Sequence, residues 1–208
     1  TSLLEQDKQT IVSYYKEKGY ADASILDTKT EIINNTEDDR QEMFITFYIH
    51  EGAQYTYEGL TISGNEVFST QQLLKCEKLK VGSVYNEVKF QQGLMDIASL
   101  YMNNGYMSVD IVPYANKNPE KHTISYTLQI KENSRSHIEN ILIKGNNKTK
   151  EFVIDREIQI EEGDVFSRDK ILNAFRNLMN LQYFSNVIPE PQQGSEKDLV
   201  DIVFTVEE

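Results

Sequence analysis

Hydrophobic and polar positions between residues 60 and 85 form a pattern that returns 81 residues later without a gap. Leu60, Ile62, Gly64-Asn65, Leu73, Leu79, Gly82, Val84 and Tyr85 are answered by Ile141, Ile143, Gly145-Asn146, Ile154, Ile160, Gly163, Val165 and Phe166. A repeat of this length predicts small tandem modules, so the elements are read copy by copy.

The middle copy, residues 54–133, opens with a strand over 57–63 and turns at Gly64-Asn65. Ser69-Thr70-Gln71-Gln72 then has the form of a capping box, in which Ser and Gln satisfy each other's backbone amides at a helix start. A short helix carries Leu73 and Leu74 inward, and a turn at Gly82 leads to a longer one. Phe90, Leu94, Ile97, Ala98 and Tyr101 follow the spacing of one buried helical face there. Gly105 ends that helix. Strands are expected over 107–114 and 123–131, the second with Ile124, Tyr126, Leu128 and Ile130 on one side. Pro113 marks the first of the two as a sheet edge, because proline has no amide hydrogen to give a neighbour.

The third copy, residues 134–208, repeats this order. Its long helix places Ile171, Phe175, Leu178 and Met179 inward and ends at Gln182-Tyr183 without a glycine, which predicts a tighter turn. Its next strand is expected to be short and stopped by Pro189 and Pro191, and its last presents Ile202, Phe204 and Val206. The first copy, residues 1–53, reads as truncated: one helix with Leu4, Ile11, Val12 and Tyr15 on a face, Gly19 as its cap, and strands over 23–33 and 42–50 joined by a polar turn at 34–39. Lacking the opening strand and helix, it should expose a sheet edge and part of its apolar face, and lean on the middle copy or on another chain.

These elements predict an α+β class in which each complete copy runs β-α-α-β-β. The third strand takes the centre of a three-stranded mixed sheet, the first lies beside it in parallel, and the second opposes it at the edge. Both helices cover one face, since the strands have only one apolar side. The linkers at 51–54 and 132–135 are short and lack proline, which predicts a semi-rigid arm.

Composition removes several functions. A net charge of −12 with 26% charged residues repels phosphate backbones and leaves no basic stripe for nucleic acid. No apolar run approaches the roughly 18 residues of a membrane span, and Thr1 opens no signal-peptide pattern, so a cytosolic chain or a piece of a longer one is expected. Cys76 stands alone, which excludes an internal disulfide, and reads as a small apolar residue on a helix. His50, His122 and His137 lie singly at strand ends or linkers and suggest no metal site. Asp38-Asp39 and Glu161-Glu162 are neighbours in turns, unlike an acid/base pair brought together in a pocket. With no Ser-His-Asp order, phosphate loop or dinucleotide fingerprint, neither catalysis nor a cofactor is expected.

The Gly-Asn turn, the Gly-x-x-Tyr/Phe before the long helix (Gly82-Ser83-Val84-Tyr85, Gly163-Asp164-Val165-Phe166) and the Gly-Tyr at the helix end (Gly19-Tyr20, Gly105-Tyr106) together resemble POTRA domains. These are polypeptide-transport-associated modules that precede outer-membrane barrels. The stretch from Tyr14 to Ala21 and the stretch Asp155-Arg156-Glu157-Ile158 are similar to the last three modules of BamA-type outer-membrane protein assembly factors. The resemblance covers nearly the whole chain and rests on the order and spacing of short motifs. It implies a periplasmic scaffold that guides unfolded outer-membrane proteins, docks accessory lipoproteins and precedes a membrane barrel in the same parent chain.

An unpaired strand edge can accept an extended chain through main-chain hydrogen bonds, largely regardless of its sequence. Ser24, Ile25, Leu26 and Asp27 form one candidate docking edge; Ser108, Val109, Asp110, Ile111 and Val112 form the other. Beside this stands an ordinary edge strand blunted by Pro113 and Asp110. The resemblance also places Arg156 and Glu157 near a partner-lipoprotein surface, where the plainer reading is a solvated helix face with a weak charge pair. Three other readings stand beside it: a two-partner secretion or other superfamily transporter with the same fold, a divisome-type interaction module, or a substrate-binding or structural repeat of an enzyme. Continuation of the parent gene past Glu208 into alternating amphipathic strands would separate most of them.

Overall fold

The computed structural model describes residues 2–35 and 40–208; the Asp38-Asp39 pair and the centre of the 34–39 turn lie outside them. The helix α1 (Ser2–Glu17) is followed by β1 (Ser24–Asn35) and β2 (Arg40–His50), an antiparallel pair with Ser24 opposite His50. Next come β3 (Thr56–Ser63), α2 (Thr70–Leu74), α3 (Glu87–Met102), β4 (Asp110–Asn118) and β5 (Thr123–Lys131). The third copy supplies β6 (His137–Lys144), α4 (Glu151–Ile158), α5 (Arg168–Asn180), β7 (Asn186–Gln193) and β8 (Leu199–Glu207). Strand orders are β1-β2, β3-β5-β4 and β6-β8-β7. In the last sheet β6 runs parallel and β7 antiparallel to the central β8, the topology that the order of elements predicts.

Local chemistry explains where the helices begin. Ser69 N donates to Gln72 Oε1 at 2.9 Å and Gln72 N to Ser69 Oγ at 3.3 Å, so the capping box forms as read. Asn86 Oδ1 accepts from Lys89 N at 2.9 Å at the start of α3, and Ser167 caps α5.

Four expectations need correction. β4 begins at Asp110 rather than 107, because the chain leaving α3 spends residues 103–109 on a turn in which Tyr106 N bonds Tyr101 O and Val109 N bonds Tyr106 O. β7 is not stopped by Pro189 and Pro191 but runs through both, opposite Phe204 and Ile202. Two prolines two residues apart turn their nitrogens to the same side, away from β8, and an edge strand loses no ladder bond there. Cys76 lies two residues beyond the end of α2 rather than on it. Phe175 and Met179 are only partly buried, while Ala174 is fully buried. The tighter turn after α5 is present: Gln182 takes the positive φ (58°) that glycine takes elsewhere, and five residues, 181–185, separate α5 from β7 against the seven after α3.

The chain folds as two compact units. One holds Thr1–Ile62, Leu73–Leu94 and Pro113–Leu128; the other holds Ser63–Gln72, Met95–Val112 and Gln129–Glu208. The first has a core rich in aromatic rings, Tyr55, Tyr57, Tyr85 and Phe90 around Ile124. Tyr126 stacks on Phe90 at 3.8 Å between centroids and shares a hydroxyl hydrogen bond of 2.8 Å with Tyr85. The second is mostly aliphatic, with Ile138, Ile154, Leu178 and Ile202 buried around Phe204 between the sheet and its helices. It also contains Tyr101, whose hydroxyl donates to Glu132 Oε1 at 2.6 Å. The same Glu132 accepts the amides of Glu66 and Val67 at 3.0 Å, which ties the Gly64-Asn65 turn to the end of β5.

Each unit contains a junction between successive copies, and the two junctions share one design. In the first unit Tyr55 N donates to Gly19 O at 2.9 Å, Gln54 Nε2 donates to Lys18 O at 2.8 Å, and a Cβ on Gly19 would stand 2.6 Å from Val84 Cγ1. In the second, Ser136 N donates to Gly105 O at 2.8 Å, Arg135 Nε donates to Asn104 O at 2.9 Å, and a Cβ on Gly105 would stand 2.8 Å from Val165 Cγ1. Gln54, Tyr55 and Val84 are the residues 81 before Arg135, Ser136 and Val165. The first junction adds Asp22, which accepts from Tyr55 OH at 2.8 Å and pairs with Lys117. The Lys117 ammonium holds the Asp22 carboxyl below its ordinary range, assisted by Tyr55. Residues 1–53 thus lean on the middle copy as expected. Ile32, Met43 and Ile45 of their sheet are exposed.

Candidate functional site

Strand edges are the features with binding chemistry. Among the described residues no strand pairs with the outer side of β4, and eight of its nine residues are exposed. Pro113 has no hydrogen for β5 and so turns its nitrogen outward; by the two-residue period of a strand Ile111 and Ala115 present their amides on that same side. Asp110, Ile111 and Val112 therefore lie on the open edge. Ser108 and Val109 do not: they belong to the turn before it, where Ser108 O accepts from Asn133 Nδ2 and the Val109 amide is already bonded at 3.4 Å.

The second candidate edge is less regular. Ser24 and Ile25 pair with His50 and Ile49, but the register shifts between Ile25 and Asp27, leaving Leu26 in a bulge at 71% exposure. Such a bulge twists the edge away from an incoming strand. The outer side of β7 is closed to main-chain pairing at two positions by Pro189 and Pro191.

One pairing escaped sequence reasoning. The Gly-x-x-Tyr segment lies along β3: Gly82 N donates to Tyr57 O and Tyr57 N to Ser83 O, both at 2.8 Å, and Tyr85 N to Tyr55 O at 2.9 Å. The third copy repeats all three bonds 81 residues on, among Gly163, Asp164, Phe166, Ser136 and Ile138. The start of β3 and of β6 is thereby covered on its outer side, so these strands offer no free edge there. The motif's extended Ser-Val and Asp-Val pairs carried the signal, hidden by their brevity.

On α4, Arg156 Nε lies 3.1 Å from Glu157 Oε1, and Asn177 Nδ2 donates to Glu157 O at 3.1 Å. Phe152 of the same helix is 68% exposed and stands one turn before Arg156, on the same side. Comparison of the copies could have singled it out, since Gln71 occupies its place in the middle copy. The histidines remain apart: His50 ends β2, His137 opens β6, and His122 sits in the β4–β5 turn with φ 50°. Among the described residues no three His, Cys, Asp or Glu side chains come together as a metal-binding group.

Tandem copies of a helix-backed mixed sheet, joined by a repeated glycine junction and presenting open strand edges, define a class of modular α+β repeat folds. The chain belongs to the POTRA family, described as the surface antigen variable number repeat, which matches residues 1–52, 55–133 and 136–208. It is 42% identical over 205 residues to a Treponema pallidum (strain Nichols) chain provisionally described as an outer membrane protein assembly factor, covering 99% of this chain and 24% of that one. It is 29% identical to the outer membrane protein assembly factor BamA of Nitratidesulfovibrio vulgaris, covering 99% of this chain and 26% of the relative. The chain thus spans about a quarter of the length of these relatives. Its fold matches the crystal structure of Haemophilus influenzae BamA POTRA3-5 with a TM-score of 0.80 at 23% identity, over 99% of this chain and 80% of that one. Among the described residues no helix is long and apolar enough to cross a membrane, which has no bearing on β-barrels.

Proposed function

We propose that the chain is the POTRA region of an outer-membrane protein assembly factor and works in the periplasm as a non-catalytic polypeptide-binding scaffold. Its modules, bounded at 1–53, 54–133 and 134–208, hold unfolded outer-membrane proteins by strand augmentation. The surface of α4 around Arg156 and Glu157 receives accessory lipoproteins, and a membrane barrel of the same parent chain follows. The relatives' names support the setting; the open outer side of β4 carries the mechanism. Main-chain pairing along Asp110–Val112 suits clients that share only strand character. Ser24–Asp27 is a secondary edge, weakened by its bulge.

Proline at Ile111 is the test. It removes an outward amide without touching the pairing with β5, so the chain should keep its melting temperature while losing affinity for an extended client peptide. Proline at Val109 would instead break the turn bond to Tyr106 and is the less informative variant. Unchanged peptide affinity in a folded Ile111→Pro protein would remove augmentation at β4 from the account.

A further inference from the structure

Within the first compact unit a cleft of about 500 Å³ opens between the end of α1 and the segment that joins α2 to α3. Lys18, Lys78, Lys80 and Lys89 line it against a single carboxylate, Glu17, in a chain whose net charge is −12. Leu79 and Val84 contribute apolar lining. Lys18 leans over the Tyr14 ring at 5.4 Å, and the nearby Glu87 is engaged by Lys16 at 3.2 Å. Among the described residues neither Lys80 nor Lys89 has a carboxylate in ion-pair range.

The repeat supplies an internal control. The third copy folds this segment with the same backbone bonds, yet it holds Gln159, Glu161 and Asp164 where the middle copy has Lys78, Lys80 and Ser83. Its counterpart of Lys89, Lys170, is taken by Asp164 at 2.8 Å. The fold therefore does not require the lysines. Lys80 and Lys89, lining one cleft without a carboxylate in ion-pair range, gather like charge there, a cost that a bound anion offsets. Ammonium groups are freely rotating point charges without arginine's planar fork, and a phosphate has enough acceptor oxygens to engage several of them at once.

We propose that this cleft binds a phosphate-bearing anion, held by Lys78, Lys80 and Lys89 with Lys18 approaching from the α1 side. A soluble phosphate and the headgroup of an anionic phospholipid present the same chemistry to it. The test uses the full chain, isotope-labelled and at physiological ionic strength. It is titrated with inorganic pyrophosphate and, separately, with vesicles of phosphatidylglycerol and phosphatidylcholine in equal parts or of phosphatidylcholine alone.

Saturable changes confined to the amides of 78–89 and Lys18 are expected with pyrophosphate if the source is soluble. They are expected with the phosphatidylglycerol vesicles, and not with phosphatidylcholine alone, if it is a lipid. Lys78→Gln combined with Lys80→Glu, which installs the third copy's residues, should weaken binding about tenfold without shifting the melting temperature, two surface charge contacts being worth about that much. No response to either probe, or a response untouched by that exchange, would overturn the proposal.

Discussion

Gly19 and Gly105 have no room for a side chain, because a Cβ on either would lie under 3 Å from the valine of the next copy. Gly163 offers a comparison, with a similar positive φ (+86°) and nothing within 4 Å of its would-be Cβ. Gly163→Ala should therefore cost only the left-handed backbone, about 1 kcal/mol. Gly105→Ala adds a clash with Val165 and Arg135, and should cost about 2 to 3 kcal/mol. Urea unfolding of the two variants checks the difference, and equal losses would mean that the junction yields easily. The sequence marked both junction glycines, but as helix ends. Their second duty, close approach to Val84 and Val165, depends on contacts across some sixty residues that no local pattern reveals.

At the scale of elements, periodicity, capping and the repeat together locate the helices and strands of the described residues, and they fail where backbone bonding overrides residue preference. The prolines of β7 looked like stops because their nitrogens' direction is invisible in sequence; once they face outward the strand continues to Gln193. β4 starts later than the pattern suggests because Met107 and Val109 look strand-like, while their amides are used in the turn after Gly105. For the same reason only the residues from Asp110 onward lie in the strand. For α4, legibility ran the other way: Arg156 and Glu157 stood out by resemblance, whereas the exposed Phe152 beside them did not. The Arg156–Glu157 pair joins adjacent residues at the surface and contributes little to stability. Glu157→Lys should therefore leave the melting temperature nearly unchanged while reducing capture of an accessory lipoprotein, measured by pull-down with the full chain. A large drop in melting temperature would return Glu157 to a structural role.

For the whole molecule, buried tyrosines set the alkaline limit. Burial, and then hydrogen bonds to Glu77, Tyr126 and Glu132, push Tyr57, Tyr85 and Tyr101 well above the ordinary value of 10.0. In the unfolded chain they would ionise near that value, so above it the unfolded state holds fewer protons than the folded one. Stability is then fully present below about pH 10 and falls as the pH rises further. Circular dichroism should be lost together with the last part of the tyrosinate absorbance rise. A rise completed while the dichroism stays native would show that these rings titrate in place.

The paired junctions bear on how the protein is handled. Cutting the chain at Gln54 would take away Gly19 and Asp22, removing the backbone packed against Val84 and leaving Lys117 and Tyr55 without their carboxylate. Shortened versions would then carry a sticky, newly cationic scar, and whatever they fish from an extract should be credited to the native protein only if the uncut chain catches it too.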